Sequence, residues 1–471
     1  MSNSSTPNPE SNPTRRTATK AVAAAALAAP FISKVKAAND IVNYGFIGSG
    51  GRGQYLLGHM KGLDNGRCVA IADIVEENAR KGATAIGSDP KLYKDYREML
   101  ADKNIDAVCI ATPLFTHFPV TKDALDAGKH VFCEKSLVFT AQEVHALRAL
   151  ANSKPKQVLQ VGLQRRYSKF YDAARQMIDK GMIGDVQHVY AQWHRGPMGA
   201  WRMKPQAAGQ SKEMWEIANW RLFRKYSGGL VAELASHQID VADRMFGANP
   251  EFVVGVGGLD TMKDGRDVYD NIQLIFKYPK GQKLVYSSNS TNEHCPLFGG
   301  QRTQFGEMIM GTAGTIHITV GTDKEPALGL WFVEANPPKR SGEKKEGAPA
   351  TASLASTGKG QTALPILLDR DAMKGNESFL EKELKFAKLW LYKKGVSLPE
   401  EDRNPVDVAM ESFLNDCKRG SKPKADLETG LADSSAVILA NLAMDEGRRV
   451  YFNEIDKMGK GEAAPAAKKK A

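Results

Sequence analysis

The sequence predicts an α/β protein in two parts: a doubly wound parallel sheet, then an α+β domain with an open, mostly antiparallel sheet. Three observations predict it. A glycine-rich turn, Gly48-Ser49-Gly50-Gly51-Arg52-Gly53, joins an apolar run to a helix-patterned one. Short apolar runs then alternate with helix-patterned stretches as far as residue 162, the pattern of a parallel sheet covered on both faces. Beyond that point strand-like runs follow one another with few helices between them. The 471 residues exceed one ordinary domain.

The elements run in order. A strand at 41–47 leads through the glycine turn into a helix at 54–60, and a strand at 68–72 ends at Asp73. Helices are expected at 75–86 and 93–101, and a strand at 107–110 ends in Ala111-Thr112-Pro113. A helix near 117–127 leads to a strand at 130–133, which ends in Glu134-Lys135. A helix at 140–152 and a strand at 158–161 complete a domain spanning 40–162. The second domain, 163–453, carries strands near 186–193, 252–256, 271–276, 283–288, 306–310 and 315–320. Residues 337–362, rich in Pro, Gly, Ser, Lys and Ala, read as a flexible insertion. Helices at 377–393, 405–419 and 432–449 follow, the last packing back onto the first domain, and 454–471 reads as a polar tail.

Composition narrows the function classes. With 42% hydrophobic and 25% charged residues the chain suits a globular protein with a substantial core. The net charge of +10 collects at the ends, in Arg15, Arg16, Lys20, Lys34 and Lys36 and in Lys468-Lys469-Lys470. No basic stripe with interleaved aromatics crosses the body, so a nucleic-acid partner is not expected. The five cysteines are widely spaced without a CxxC. Neither a zinc site nor a disulfide framework is expected, and Cys68, Cys109 and Cys133 read as core residues. Residues 1–38 resemble a twin-arginine export signal: Arg15-Arg16 and Lys20 precede an Ala-rich apolar stretch. The expectation is export to the periplasm in folded form. No run of about 18 apolar residues occurs, so no stable membrane insertion is expected.

The glycine turn carries the first chemistry. Gly48, Gly50 and Gly53 occupy positions one, three and six of the dinucleotide fingerprint: tight turn, close backbone approach to a pyrophosphate, and close packing of helix on strand. The N–H groups and dipole of the following helix attract phosphate. Asp73 ends the second strand at the spacing where a carboxylate accepts hydrogen bonds from ribose hydroxyls. NAD is therefore expected, with NADP left open because Arg52 lies in the loop.

Taken together, Gly48–Gly53, Asp73, Ala111-Thr112-Pro113 with His117, Gly128 to Lys135, Gly228-Gly229 with Glu233 and His237, and Phe413, Gly420, Pro423 and Glu428-Thr429-Gly430 resemble the Gfo/Idh/MocA oxidoreductases over roughly residues 41 to 450. Two departures stand out: Ser136 replaces the family's proline after the lysine, and Glu233 replaces the aspartate four residues before the histidine. The resemblance implies a cofactor site formed by Gly48, Gly50, Gly51, Arg52, Gly53, Asp73, Thr112, Pro113, His117, Glu134, Lys135 and Gln164. It implies hydride transfer from a carbinol of a sugar, glycoside or cyclitol, with His237 as general base, Lys135 on the reacting oxygen and Glu233 tuning the pair. On a helix, Glu233 and His237 would share a face. Substrate contacts are expected from Arg166, Tyr167, His194, Trp220, Arg221 and Tyr226, since aromatic faces with Arg and His donors suit sugar rings. Alternatives are a glycoside-cleaving enzyme that uses NAD transiently for oxidation and elimination, and a non-catalytic NAD-binding sensor. A homo-oligomer assembled through the second sheet, and a tightly held cofactor, are also expected.

Overall fold

The computed structural model describes residues 41–196, 201–292, 305–319, 328–334, 362–368, 388–389, 391–396 and 403–459. The expected export signal, nearly all of the 337–362 insertion and most of the 377–393 helix lie outside the described residues.

Six strands form the first sheet: β1 Val42–Ile47, β2 Gly66–Ala72, β3 Lys91–Tyr93, β4 Ala107–Ile110, β5 His130–Cys133 and β6 Leu159–Val161. Their order is β3-β2-β1-β4-β5-β6 and every pairing is parallel. Helices α1 Gly51–Met60, α2 Glu76–Ile86, α3 Tyr96–Leu100, α4 His117–Asp126 and α5 Ala141–Asn152 make the crossovers. Burial on both faces explains why the central strands read as unbroken apolar runs: all four residues of β4 are buried. The strand order reverses between β1 and β4, and ligands of such sheets bind beyond the strand ends at that reversal. The sequence reading missed β3 and began a helix at Tyr93. The strand is three residues long with Lys91 and Leu92 exposed, so it shows no alternation, and the helix waits for the Asp95 cap, which accepts from the Arg97 N–H at 2.9 Å.

The second sheet has nine strands: β7 Val186–His194, β8 Phe252–Gly258, β9 Asn271–Lys277, β10 Lys283–Asn289, β11 Phe305–Gly311, β12 Gly314–Thr319, β13 Leu328–Val333, β14 Thr362–Leu368 and β15 Val450–Tyr451. They are ordered β14-β13-β12-β11-β7-β10-β9-β8-β15, antiparallel except for β7 with β10. Strict alternation of buried and exposed residues in β9 shows one covered face. Three strands were not expected. β14 starts on Thr362, the last residue assigned to the insertion, and β15 is too short to carry a pattern.

The helices of this half are α6 Lys169–Asp179, α7 Lys212–Ala218, α8 Ser236–Phe246, α9 Pro405–Arg419, α10 Leu427–Glu446 and α11 Glu454–Gly459. α10 ties the halves together. A side chain at Gly430 would come within 2.4 Å of Val161 on β6, and Met444 lies under Gly255 on β8. One apolar core accordingly runs from Val108 and Val161 of the first sheet to Val189 and Leu274 of the second. α10 begins before the expected residue 432 because Asp426 caps it, accepting from Thr429 N–H at 2.9 Å, and it stops at Gly447, which takes the left-handed conformation. The tail expected from Glu454 is a correction: Glu454–Gly459 is helical, with Ile455 buried and Glu454 bound by Arg448.

Candidate active site

The glycine turn shows which of its glycines the protein needs for itself. Gly48 has φ +87°, and a Cβ there would lie 2.7 Å from Thr112 Cγ2. A Cβ on Gly53 would lie 2.2 Å from the Gly48 carbonyl oxygen. At Gly50 and Gly51 a Cβ would meet nothing within 4 Å. The middle glycines therefore leave open an approach that protein packing does not fill. Gly50 is also the N-cap of α1 and supplies no capping side chain, so the first-turn N–H groups are left for an anion. These features fit a dinucleotide pyrophosphate.

Asp73 clamps the turn. One carboxylate oxygen accepts from Ser49 N–H and the other from Val75 N–H, both at 2.8 Å. Ser49 Oγ and Asn78 Nδ2 add longer contacts, each at 3.4 Å, which ribose hydroxyls would displace, since a carboxylate has about four acceptor positions. Arg52 is committed elsewhere: its Nε donates to Glu134 Oε1 at 2.8 Å and its Nη2 to Gln164 Oε1 at 2.7 Å. The guanidinium thereby ties α1 to the segments after β5 and β6. Thr112 and Pro113 sit where β4 ends, Thr112 against Gly48 and both in the hydroxyl network of Thr116.

His117 is corrected from cofactor contact to structural clamp. Its Nδ1 lies 2.7 Å from the Ser136 carbonyl and its Nε2 2.9 Å from the Thr112 carbonyl. Carbonyls only accept, so both nitrogens carry protons when both bonds form. Burial opposes that charge, but Cys133 and the two carbonyls outweigh it and raise the pKa to about 9.

Lys135 follows β5, and its peptide bond to Ser136 is cis. Its Nζ donates to the carbonyls of Ala232 and Glu233, each at 2.9 Å. Those carbonyls belong to a π-helical turn, Val231–Ala235, that feeds α8. This widened turn corrects the expectation of one regular helix. With i→i+5 pairing, a four-residue spacing no longer aligns Glu233 with His237. Glu233 instead accepts from Arg221 Nε at 2.9 Å. Burial opposes its charge, yet Arg221 and Lys135 hold its pKa below the ordinary value.

His237 is buried, with its ring stacked on Trp193 at 5.8 Å between centroids and 29° between planes. Its Nδ1 has no hydrogen-bond partner among the described residues. Burial, then Lys135, Arg165, Arg52 and Arg195, push its pKa well below the usual value, so the ring is neutral. Burial also lowers the pKa of Lys135, against the pull of Glu233, Glu134 and Asp433.

Asp433 escaped the sequence reading. It is 1% exposed on α10, and burial with Asp240 nearby raises its pKa to about 7 against the opposing pull of Lys135 and the Ser136 hydroxyl. Its neighbour Ser434 accepts from Leu137 N–H at 3.0 Å, which anchors the loop after Lys135 to α10. The available signal was a polar triplet, Asp433-Ser434-Ser435, inside an apolar helix.

The expected substrate contacts divide. Arg166 pairs with Asp240 at 2.6 Å. Tyr167 is buried with its oxygen accepting from Ala425 N–H at 3.4 Å, and buried Tyr226 packs on Phe115 with centroids 4.9 Å apart. These three are corrected to structural residues, because core packing and an ion pair occupy them. His194 lies 2.9 Å from Ser287 Oγ at the end of β7, and Arg221 lies over the Trp220 ring at 4.3 Å. Arg165, in the same segment as Arg166, is buried and paired with Glu307, which also accepts from Tyr171 at 2.6 Å. Among the described residues no cluster of three or more His, Cys, Asp or Glu is placed to hold a metal, and no helix is long and apolar enough to cross a membrane.

Comparison with known proteins adds to this geometry. Residues 42–163 match the model of an oxidoreductase family with an NAD-binding Rossmann fold, and residues 171–317 match the GFO/IDH/MocA C-terminal domain. Inositol 2-dehydrogenase of Rhizobium meliloti (strain 1021) is 29% identical over 252 residues, 53% of this chain and 68% of the relative. Inositol 2-dehydrogenase of Gluconacetobacter diazotrophicus is 35% identical over 148 residues, 31% of this chain and 44% of the relative. Among solved structures, levoglucosan dehydrogenase in complex with NADH superposes with a TM-score of 0.63 at 18% identity, covering 87% of this chain and 99% of that one. Aldose-aldose oxidoreductase of Caulobacter crescentus, complexed with glycerol, gives 0.61 at 18% identity with the same coverage. At those identities the superpositions establish the fold.

Proposed function

Because the chain belongs to the Gfo/Idh/MocA oxidoreductase family, we propose that it is an NAD-dependent dehydrogenase acting on a secondary alcohol of a sugar or cyclitol. Bound NAD supplies the hydride acceptor. The residues of the chain do the rest. Lys135 leaves its two carbonyl acceptors for the reacting hydroxyl oxygen and stabilises the charge that develops there. His237, neutral and with Nδ1 unpartnered, receives the hydroxyl proton as general base. Glu233 holds Arg221 at the substrate side and helps keep Lys135 charged. The observation that carries this reading is the buried, uncharged, unpartnered His237 within electrostatic reach of Lys135. The relatives named for inositol and levoglucosan dehydrogenation support the substrate class.

The test is NADH formation from NAD and a panel of cyclitols, aldoses and anhydrosugars. Turnover by wild type that is lost in H237A and K135M, with NADH binding kept, supports the assignment. Equal turnover in those variants overturns it. Arg15-Arg16 adds export to the periplasm through the twin-arginine route, with a nicotinamide nucleotide loaded beforehand and retained. R15K/R16K protein held in the cytoplasm supports the route, and nucleotide released on denaturing the periplasmic enzyme supports retention. Unchanged export of the variant, or purified enzyme free of nucleotide, removes the respective point.

A further inference from the structure

The charges around His237 do not balance, and the imbalance sits on the substrate side. Most of the arginines there have carboxylate partners: Arg52 with Glu134, Arg165 with Glu307, Arg166 with Asp240 and Arg221 with Glu233. Arg195 differs. Its backbone N–H donates to the Asn289 carbonyl at 2.8 Å, which extends the β7–β10 pairing by one residue and fixes the side chain's origin. Residues two apart on a strand face the same way, so Arg195 leaves on the Trp193 side, and its guanidinium lies 4.7 Å from that ring's centroid. Trp193 stacks in turn on His237. The guanidinium is therefore one aromatic ring from the proposed base. Among the described residues it makes no ion pair. Burial depresses its pKa, and Arg221 nearby adds to that, while Tyr286 and Glu233 oppose it only in part. Lys135, another cation beside His237, rests on backbone carbonyls.

A partly desolvated guanidinium without an anion is costly to hold in place, and its planar fork matches a carboxylate bidentately. Neutral polyols need no such group. We propose that the physiological substrate is a polyhydroxy acid, such as a uronate or aldonate, whose carboxylate pairs with Arg195 while a hydroxyl faces Lys135 and His237. This rests on the dehydrogenase reading and narrows it.

The experiment titrates the NADH-loaded protein with D-glucuronate and D-gluconate against D-glucose and myo-inositol by calorimetry. The expected result is that an acid binds at least about tenfold more tightly than its neutral counterpart, and that rising salt narrows the gap. In R195M the preference for the acid falls by about 10- to 100-fold, and R195K restores part of it. Neutral compounds bound as tightly as the acids by wild type overturn the proposal, as does an unchanged preference in R195M. Should R195M fail to fold, the wild-type preference and its salt dependence decide alone. Sodium sulfate binding as tightly as the sugar acids also overturns it, since the site then recognises any anion. Because binding is read without turnover, the two readings fail separately. NAD reduction by neutral polyols with no acid preference sinks this proposal and leaves the dehydrogenase. An acid that binds but is never oxidised sinks the dehydrogenase.

Discussion

At the glycine turn the groups left for a ligand are backbone N–H groups held by a few distant side chains; around His237 the surrounding groups are mostly side chains from elsewhere in the chain. Gly48 to Gly53 needs only a strand before it, a helix after it, Asp73, and Thr112 packed beneath. Lys135 arrives from β5, Glu233 and His237 from the π turn and α8, Trp193 and Arg195 from β7, and Asp433 from α10. The first region can bind a shape common to many proteins because backbone amides do the recognising. The second tunes charge by burial, and burial requires the whole fold.

This contrast can be broken at several points, taken here from the largest expected effect. K135M and H237A should each lower kcat by about 10²- to 10⁴-fold with NADH affinity retained, measured by steady-state kinetics and fluorescence titration. A comparable loss of NADH affinity would show that the two regions are not separable. Because the pKa of His237 lies well below the ordinary value, the acid limb of kcat/KM should fall below the usual histidine range.

Asp433 comes next. Its pKa rises from 3.8 unfolded to about 7 folded. A raised carboxyl pKa gives stability that is full below the unfolded value and lost as pH rises through the folded one. D433N should therefore gain on wild type by about 2–4 kcal/mol between pH 4 and pH 8, read as a change in the difference of their Tm values. A difference independent of pH would show that Asp433 is ionised throughout.

His117 gives a second lever of the same sign, at higher pH and on the cofactor side. Its pKa is raised from 6.5 to about 9, so its contribution is complete below pH 6.5 and disappears as pH passes 9. Wild type should lose about 2–3 kcal/mol over that window and H117Q should not, as denaturant melts at pH 6, 8 and 10 would show.

The smallest effects separate the glycines. G53A should destabilise the fold by about 1–3 kcal/mol, because the added methyl meets a backbone oxygen 2.2 Å away. G50A should leave Tm within a degree or two, about 0.5 kcal/mol, yet weaken NADH about tenfold. If G50A lowers Tm as much as G53A, Gly50 serves the fold and not the ligand.

The long central strands, the glycine turn and the helices with strong caps were legible, because their patterns are local. β3 and β15 were not, being too short to show a period. Lys135 and His237 were named on a resemblance, and Asp73 on its spacing from the glycine turn. Arg166, Tyr167 and Tyr226 could not be told from ligand contacts, since an arginine or tyrosine looks the same in sequence whether it meets a substrate, Asp240 or the core.

The sequence alone determined the order of the longer strands and helices of the first sheet, the dinucleotide turn and the acid at its second strand. These depend on periodicity and on conformations that only glycine or a cap permits. The tertiary structure decided which charges are paired. It turned Arg52 onto Glu134, widened the helix before His237, buried Asp433 and, among the described residues, left Arg195 without an ion pair. Pairing and burial arise between residues far apart in the chain, so no local pattern records them.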